Sequence, residues 1–141
     1  MSKTTDDLKA AFAGESQANR KYLAFAEKAE QDGYSQAARL FRAAAHAETI
    51  HAINHLKALG DIKSTAENLE AAINGENYEV VEMYPDFMKD AEEEGMKRAL
   101  TSFRWAWEVE KIHEVLYRRT LDCLGQETPP VEYYVCPICG Y

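Results

Sequence analysis

A chain of 141 residues is long enough for one domain that buries roughly two-thirds of its unfolded surface, so no disulfide scaffold is required. Acidic residues outnumber basic ones 24 to 16, for a net charge of −8, and no cluster of Lys and Arg interleaved with aromatics occurs, which argues against nucleic acid as a partner. Met1 to Phe12 is polar and charged and no run approaches the roughly 18 apolar residues of a membrane span, so neither a signal peptide nor a membrane partner is expected and the reading is cytoplasmic.

From about Thr5 to Gln31, Leu8, Ala11, Phe12, Tyr22, Phe25, Ala26 and Ala29 recur at three and four, the helical period, and Asp32-Gly33 ends the run. A second helix is expected from about Ser35 to Leu59 with Gly60 as its C-cap. Ser64-Thr65-Ala66-Glu67 reads as a capping box opening a third helix, which meets Pro85, should kink or divide near Tyr84, and stops at Gly95. The fourth covers about Met96 to Leu124. After Thr128-Pro129-Pro130 comes a β-branched and aromatic tail ending in Cys136-Pro137-Ile138-Cys139-Gly140-Tyr141. Helices of about 25 residues span roughly 37 Å. Four of them indicate an all-α antiparallel bundle over residues 1–125, with 126–141 as linker and tail.

The two halves repeat. At an offset of 62, Tyr22 matches Tyr84, Phe25 matches Phe87, Ala29 matches Ala91, Glu30 matches Glu92, Gly33 matches Gly95, Phe41 matches Phe103, and Arg42 matches Arg104. So do Glu48 and Glu110, and His51 and His113. The bundle is therefore two related helical hairpins. Each Glu-x-x-His places a carboxylate and an imidazole on one helix face about 5–6 Å apart, within reach of one metal ion. One copy is weak evidence; two in equivalent repeat positions are not.

The facing helices also carry carboxylates. Glu15 projects from the apolar stripe of helix one, and Glu76 and Glu79 stand three apart on helix three. Glu15 and Glu76 are offset by 61, one short of the repeat, a slip that a bulge would absorb, although no bulge is visible in the sequence. Burying so many unpaired carboxylates costs several kcal/mol each without a compensating charge. A Glu from each of two helices plus a Glu-x-x-His from each of the other two is the ligand set of di-iron and di-manganese carboxylate bundles. His46 is expected at the surface, His55 to have no ligand role, Glu92 to Glu94 to form a solvated face, and Trp105 and Trp107 to serve as packing residues.

With Ala13-Gly14-Glu15-Ser16-Gln17-Ala18, both Glu-x-x-His motifs, Glu76-x-x-Glu79 before Glu82-Met83-Tyr84-Pro85, and a terminal Cys-Pro-x-Cys-Gly-Tyr, the chain resembles the rubrerythrins over essentially its whole length. The resemblance implies a ferritin-like bundle holding two iron ions, able to carry an oxo bridge, on Glu15, Glu48, His51, Glu76, Glu79, Glu110 and His113. It implies that Glu79 and His51 exchange on one iron as the redox state changes, and that Tyr22 and Tyr84 hydrogen-bond the ligand carboxylates. The activity it implies is reduction of hydrogen peroxide to water, with electrons from NAD(P)H through a reductase and a rubredoxin-type centre. Iron oxidation or storage and oxygen reduction are the alternative activities, and a metal-free helical adaptor is the non-catalytic one. The same Glu/His set also accepts manganese or zinc.

Two departures from that pattern carry expectations of their own. A rubredoxin centre needs four thiolates. Cys136 and Cys139 supply one Cys-x-x-Cys knuckle, so the tail reads as the first half of a rubredoxin domain, its iron site incomplete, and an external donor is expected. The segment Gly60 to Lys63 spans about 14 Å fully extended, too short for the long crossover of ferritin-like bundles. Either the topology is plain up-down-up-down, or two chains exchange hairpins in a domain-swapped homodimer, the arrangement favoured here.

Overall fold

The structure is a computed structural model that describes residues 2–127 and 129–141; Met1 and Thr128, the latter at the head of the expected linker, lie outside the described residues. Helix α1 runs Lys3–Gln31, α2 Ser35–Leu59, α3 Thr65–Tyr78, α4 Tyr84–Glu93 and α5 Lys97–Asp122, and a π turn over Glu79–Met83 joins α3 to α4. Among the described residues there is no strand. The chain divides into two compact units, 1–63 with α1 and α2, and 64–141 with the rest.

Local chemistry explains the helix ends. The Ser2 side chain caps α1 by accepting from the Thr5 amide at 3.2 Å. At α3 both halves of the expected capping box form: Ser64 Oγ accepts from the Glu67 amide at 3.3 Å, and the Glu67 carboxylate accepts from the Ser64 amide at 3.1 Å. Each unit turns through the same hairpin. Gly33 and Gly95 take φ of 83° and 69°, and the next amides, of Tyr34 and Met96, donate at 2.8 Å to the carbonyls of Ala29 and Ala91. This pattern needs a left-handed residue after the helix, which glycine adopts without a Cβ clash.

Packing follows the repeat as well. In the first unit the buried residues are small, Ala26, Ala29, Ala38, Ala45 and Ala52, which lets α1 and α2 approach closely. Tyr22, Phe25 and Phe41 form an aromatic trio with centroids 5.6–6.4 Å apart; Tyr84, Phe87 and Phe103 form its counterpart in the second unit at 5.6–6.3 Å. Arg42 pairs with Glu30, and Arg104 reaches Glu92 at 3.9 Å. Glu92 was expected only as part of a solvated run, but it is the repeat mate of an ion-paired residue, on the surface where such pairs contribute little.

The third helix divides near Tyr84, as expected, with a cause that the sequence did not show: a π turn over Glu79–Met83 precedes α4. The Tyr84 amide donates to the Glu79 carbonyl, five residues back, and Pro85 occupies the first turn of α4, where a missing N–H is tolerated. One π turn holds one residue more than the α-helical turn it replaces. It therefore absorbs the slip from offset 61 at Glu76 to offset 62 at Tyr84.

Candidate metal centre

Within the first unit, α1 contributes Glu15 and α2 contributes Glu48 and His51, and one ligand atom from each lies within 4.8 Å of the others. His51 Nδ1 is 2.9 Å from Glu48 and 3.9 Å from Glu15. A hydrogen bond between the two carboxyl groups raises the pKa of Glu15 and lowers that of Glu48. His55, one turn on, stands close enough for its charge to lower Glu15 slightly, and His46 is exposed.

The second unit repeats the arrangement. Glu76 from α3 and Glu110 and His113 from α5 form a cluster within the same 4.8 Å limit. His113 Nδ1 lies 2.6 Å from Glu110 and 3.6 Å from Glu76. Burial, then the hydrogen bond and charge of Glu110, push Glu76 up to about 7. Glu79 stands outside the tight cluster but lines the same cavity as Glu76, Glu110 and His113; burial and then the Glu110 charge raise its pKa too. The Tyr84 hydroxyl is raised by burial and by the charges of Glu79, Glu110 and Glu76, which puts it beside these carboxylates. Tyr22 packs in its aromatic trio.

All six clustered residues, with Glu79 beside one set, thus come from the sequence reading. Each imidazole turns Nδ1 toward the carboxylate three residues before it, so all donors of a cluster converge. Carboxylates crowded together are the groups a cation relieves, and oxygen donors with one imidazole per cluster suit iron, manganese or zinc.

The sequence reading did not foresee the polar contacts made by Asn19 and Trp107. Asn19, 8% exposed, donates through Nδ2 to the Ala45 carbonyl at 2.6 Å and to Thr49 Oγ1 at 2.8 Å. Trp107, expected only to pack, donates its indole N–H to the Val80 carbonyl at 2.9 Å. An amide within an apolar stripe was the available signal for the first; the second depends on the π turn and had none.

In the tail, the Gly140 amide donates to the Cys136 carbonyl at 2.9 Å and the Cys136 amide to the Tyr141 carbonyl at 2.5 Å. Both thiols are free. The Cys136 thiol pKa is lowered by the backbone amides of Cys139 and Ile138 and then by the Cys139 side chain, the environment that favours a thiolate.

Comparison with known proteins agrees with this architecture. The rubrerythrin family model matches residues 6–121. Rubrerythrin-2 of Clostridium acetobutylicum is 36% identical, over 98% of this chain and 84% of its own length. Nigerythrin of Nitratidesulfovibrio vulgaris is 37% identical over 98% and 75%, and a rubrerythrin of Porphyromonas gingivalis 39% over 99% and 78%. Among solved structures, the fully reduced, all-ferrous state of nigerythrin matches with a TM-score of 0.53 at 36% identity, covering 100% of this chain and 76% of that one. The fold class is thus the ferritin-like helical bundle made of two related hairpins; the family implies a di-iron centre, and the two Glu/Glu/His clusters are groups that could hold metal ions. The chain belongs to the rubrerythrin family, whose members are di-iron oxidoreductases of oxidative-stress type.

Proposed function

We propose that this chain is a cytoplasmic di-iron peroxidase that reduces hydrogen peroxide to water, drawing electrons from a separate rubredoxin-type donor and its NAD(P)H-linked reductase. The observation that carries this reading is the pair of repeat-related Glu/Glu/His clusters with Glu79 in reserve beside one of them. Glu15, Glu48, His51, Glu76, Glu110 and His113 would hold two iron ions, with Glu79 and His51 alternating on one of them. His51, its side chain 54% exposed, has room to move. When bound, a ferrous pair supplies the two electrons that, with two protons, convert one peroxide to two waters. The protein's own contribution is to converge the donors and to keep a spare carboxylate within reach, so each oxidation state finds a suitable shell. Tyr22 and Tyr84 orient the carboxylates.

Each centre is assembled in a domain-swapped homodimer. The first hairpin of one chain gives Glu15, Glu48 and His51; the second hairpin of its partner gives Glu76, Glu79, Glu110 and His113. This agrees with the short segment between Leu59 and Thr65 and with the apolar groups that the hairpins expose, Phe25, Leu40 and Ile50 in one, Val81, Phe87 and Trp105 in the other. Residues 1–125 then form the di-iron domain, and 126–141 a linker and tail whose Cys136 and Cys139 make one knuckle of a rubredoxin-type site.

The test is stopped-flow reoxidation of the diferrous protein by hydrogen peroxide and, separately, by oxygen. Faster oxidation by peroxide is expected. Oxidation by oxygen much faster than by peroxide would assign an oxygen-reducing oxidase instead, and fewer than about one bound metal per chain after anaerobic loading would remove the di-iron reading altogether.

A further inference from the structure

We propose that Trp107 is a positioning residue for the metal centre: its indole N–H fixes the π turn that presents Glu79. In a regular helix the Val80 carbonyl would accept from the amide of residue 84, but that amide is bound to the Glu79 carbonyl. In the π register its donor would be residue 85, which is proline and has none. Val80 is thus left without a helical donor on both counts, and the Trp107 indole N–H fills the place at 2.9 Å. The ring is held in turn by the Lys111 ammonium, 3.1 Å from its centroid.

The first unit shows what the second has altered. Trp107 is the repeat mate of Ala45, and Val80 stands at offset 61 from Asn19. In the first unit the same two positions are joined in the opposite sense, with the Asn19 side chain donating to the Ala45 carbonyl. There α1 is regular through this stretch, so it has no unpartnered carbonyl and can present an amide instead. In the second unit the π turn frees a carbonyl and the donor comes from the other helix. The tie between the two helices is kept, and its polarity follows the π turn.

The consequence reaches Glu79 because it is the first residue of that turn. If the turn relaxed by one residue to the α register, Glu79 would rotate about 100° relative to Tyr84 and α4. Trp107 acts through the Val80 backbone carbonyl. This inference rests on the reading of Glu79 as a metal donor.

The experiment uses Co(II), whose d–d spectrum reports its ligand shell, titrated into the metal-free full chain. The variants are Glu79→Ala, Trp107→Phe and the two combined. Trp107→Phe should lower Co(II) affinity roughly 10–100-fold, as loss of an orienting partner does, and shift the d–d bands toward those of E79A. In the double variant the affinity should match E79A within about 2-fold, since both changes remove the same donor. A W107F protein with the parent's affinity and spectrum, or losses that multiply in the double variant, would overturn the proposal. An E79A spectrum identical to the parent's would strike the ligand assignment itself and the inference with it. If W107F does not fold, 3-benzothienylalanine incorporated at position 107 keeps the bicyclic shape and removes only the N–H. The same loss is expected, and parent-like binding refutes.

Discussion

Asn19 joins α1 to α2 through two short contacts in a core otherwise made of alanines and aromatic rings. Truncating it to alanine leaves Thr49 Oγ1 with its own Ala45 contact at 3.1 Å but removes the interhelical tie, so Asn19→Ala should destabilise by about 1–2 kcal/mol in urea unfolding. Combined with Thr49→Val the loss should be less than the sum of the two, because they share one network. Glu76 behaves differently. Burial and the crowding of Glu110 and Glu79 outweigh the relief from His113, 3.6 Å away, so Glu76→Gln should leave the metal-free protein no less stable than the parent. The same change should shrink the rise in melting temperature on adding Fe(II) or Co(II), which for a parent site at a hundredfold excess over Kd corresponds to about 2.7 kcal/mol. Loss of metal-free stability with metal stabilisation intact would show Glu76 to be structural. These carboxylates were legible in the sequence because apolar periodicity made each one conspicuous. Asn19 was marked only by an amide within an apolar stripe and Trp107 not at all, since the backbone carbonyl that each one meets leaves no mark in the sequence.

The elements show the same division between what composition reveals and what geometry decides. The capping box at Ser64 and Glu67, the hairpin glycines at 33 and 95, and the repeat itself could all be read directly, because caps, left-handed residues and periodic faces are local and residue-specific. The structure gives several repeat matches a physical cause: Glu30 and Arg42 match Glu92 and Arg104 as ion pairs, and Tyr22, Phe25 and Phe41 match Tyr84, Phe87 and Phe103 as packed trios. The π turn was visible only as the one-residue slip. Proline drew attention to Tyr84, while the extra residue is accommodated over Glu79–Met83, where the Trp107 donor compensates it. Deleting Val81 should restore a continuous α-helix, holding far-UV helicity but rotating Glu76 and Glu79 about 100° from their register with Tyr84. Metal binding by the second cluster should then collapse. At the other end of α3, Ser64→Ala should cost about 1 kcal/mol in chemical denaturation by removing one arm of the capping box.

At the scale of the molecule, the proposed centre requires seven donors divided between two hairpins to meet. α2 ends at Leu59 and α3 begins at Thr65, so a short extended segment separates two hairpins whose helices run to about 25 residues, some 37 Å. A chain that completes a ferritin-like bundle by itself must return along that whole length, and this segment is too short to do so. Exchange between two chains removes the requirement without changing any packed face. The native chain should therefore sediment as a dimer with about two metals per chain. Inserting 20 Gly/Ser residues after Asp61 supplies a linker with a typical end-to-end distance of about 25 Å and more than 60 Å when extended, enough for one chain to close its own bundle. That variant should shift toward monomer on light scattering while keeping its metal content and Co(II) spectrum, since the same residues meet in either assembly. A native chain that is monomeric when dilute and fully loaded would refute the swap. An extended-linker chain that stays dimeric and loses metal would show that the segment's length matters for a reason other than connectivity.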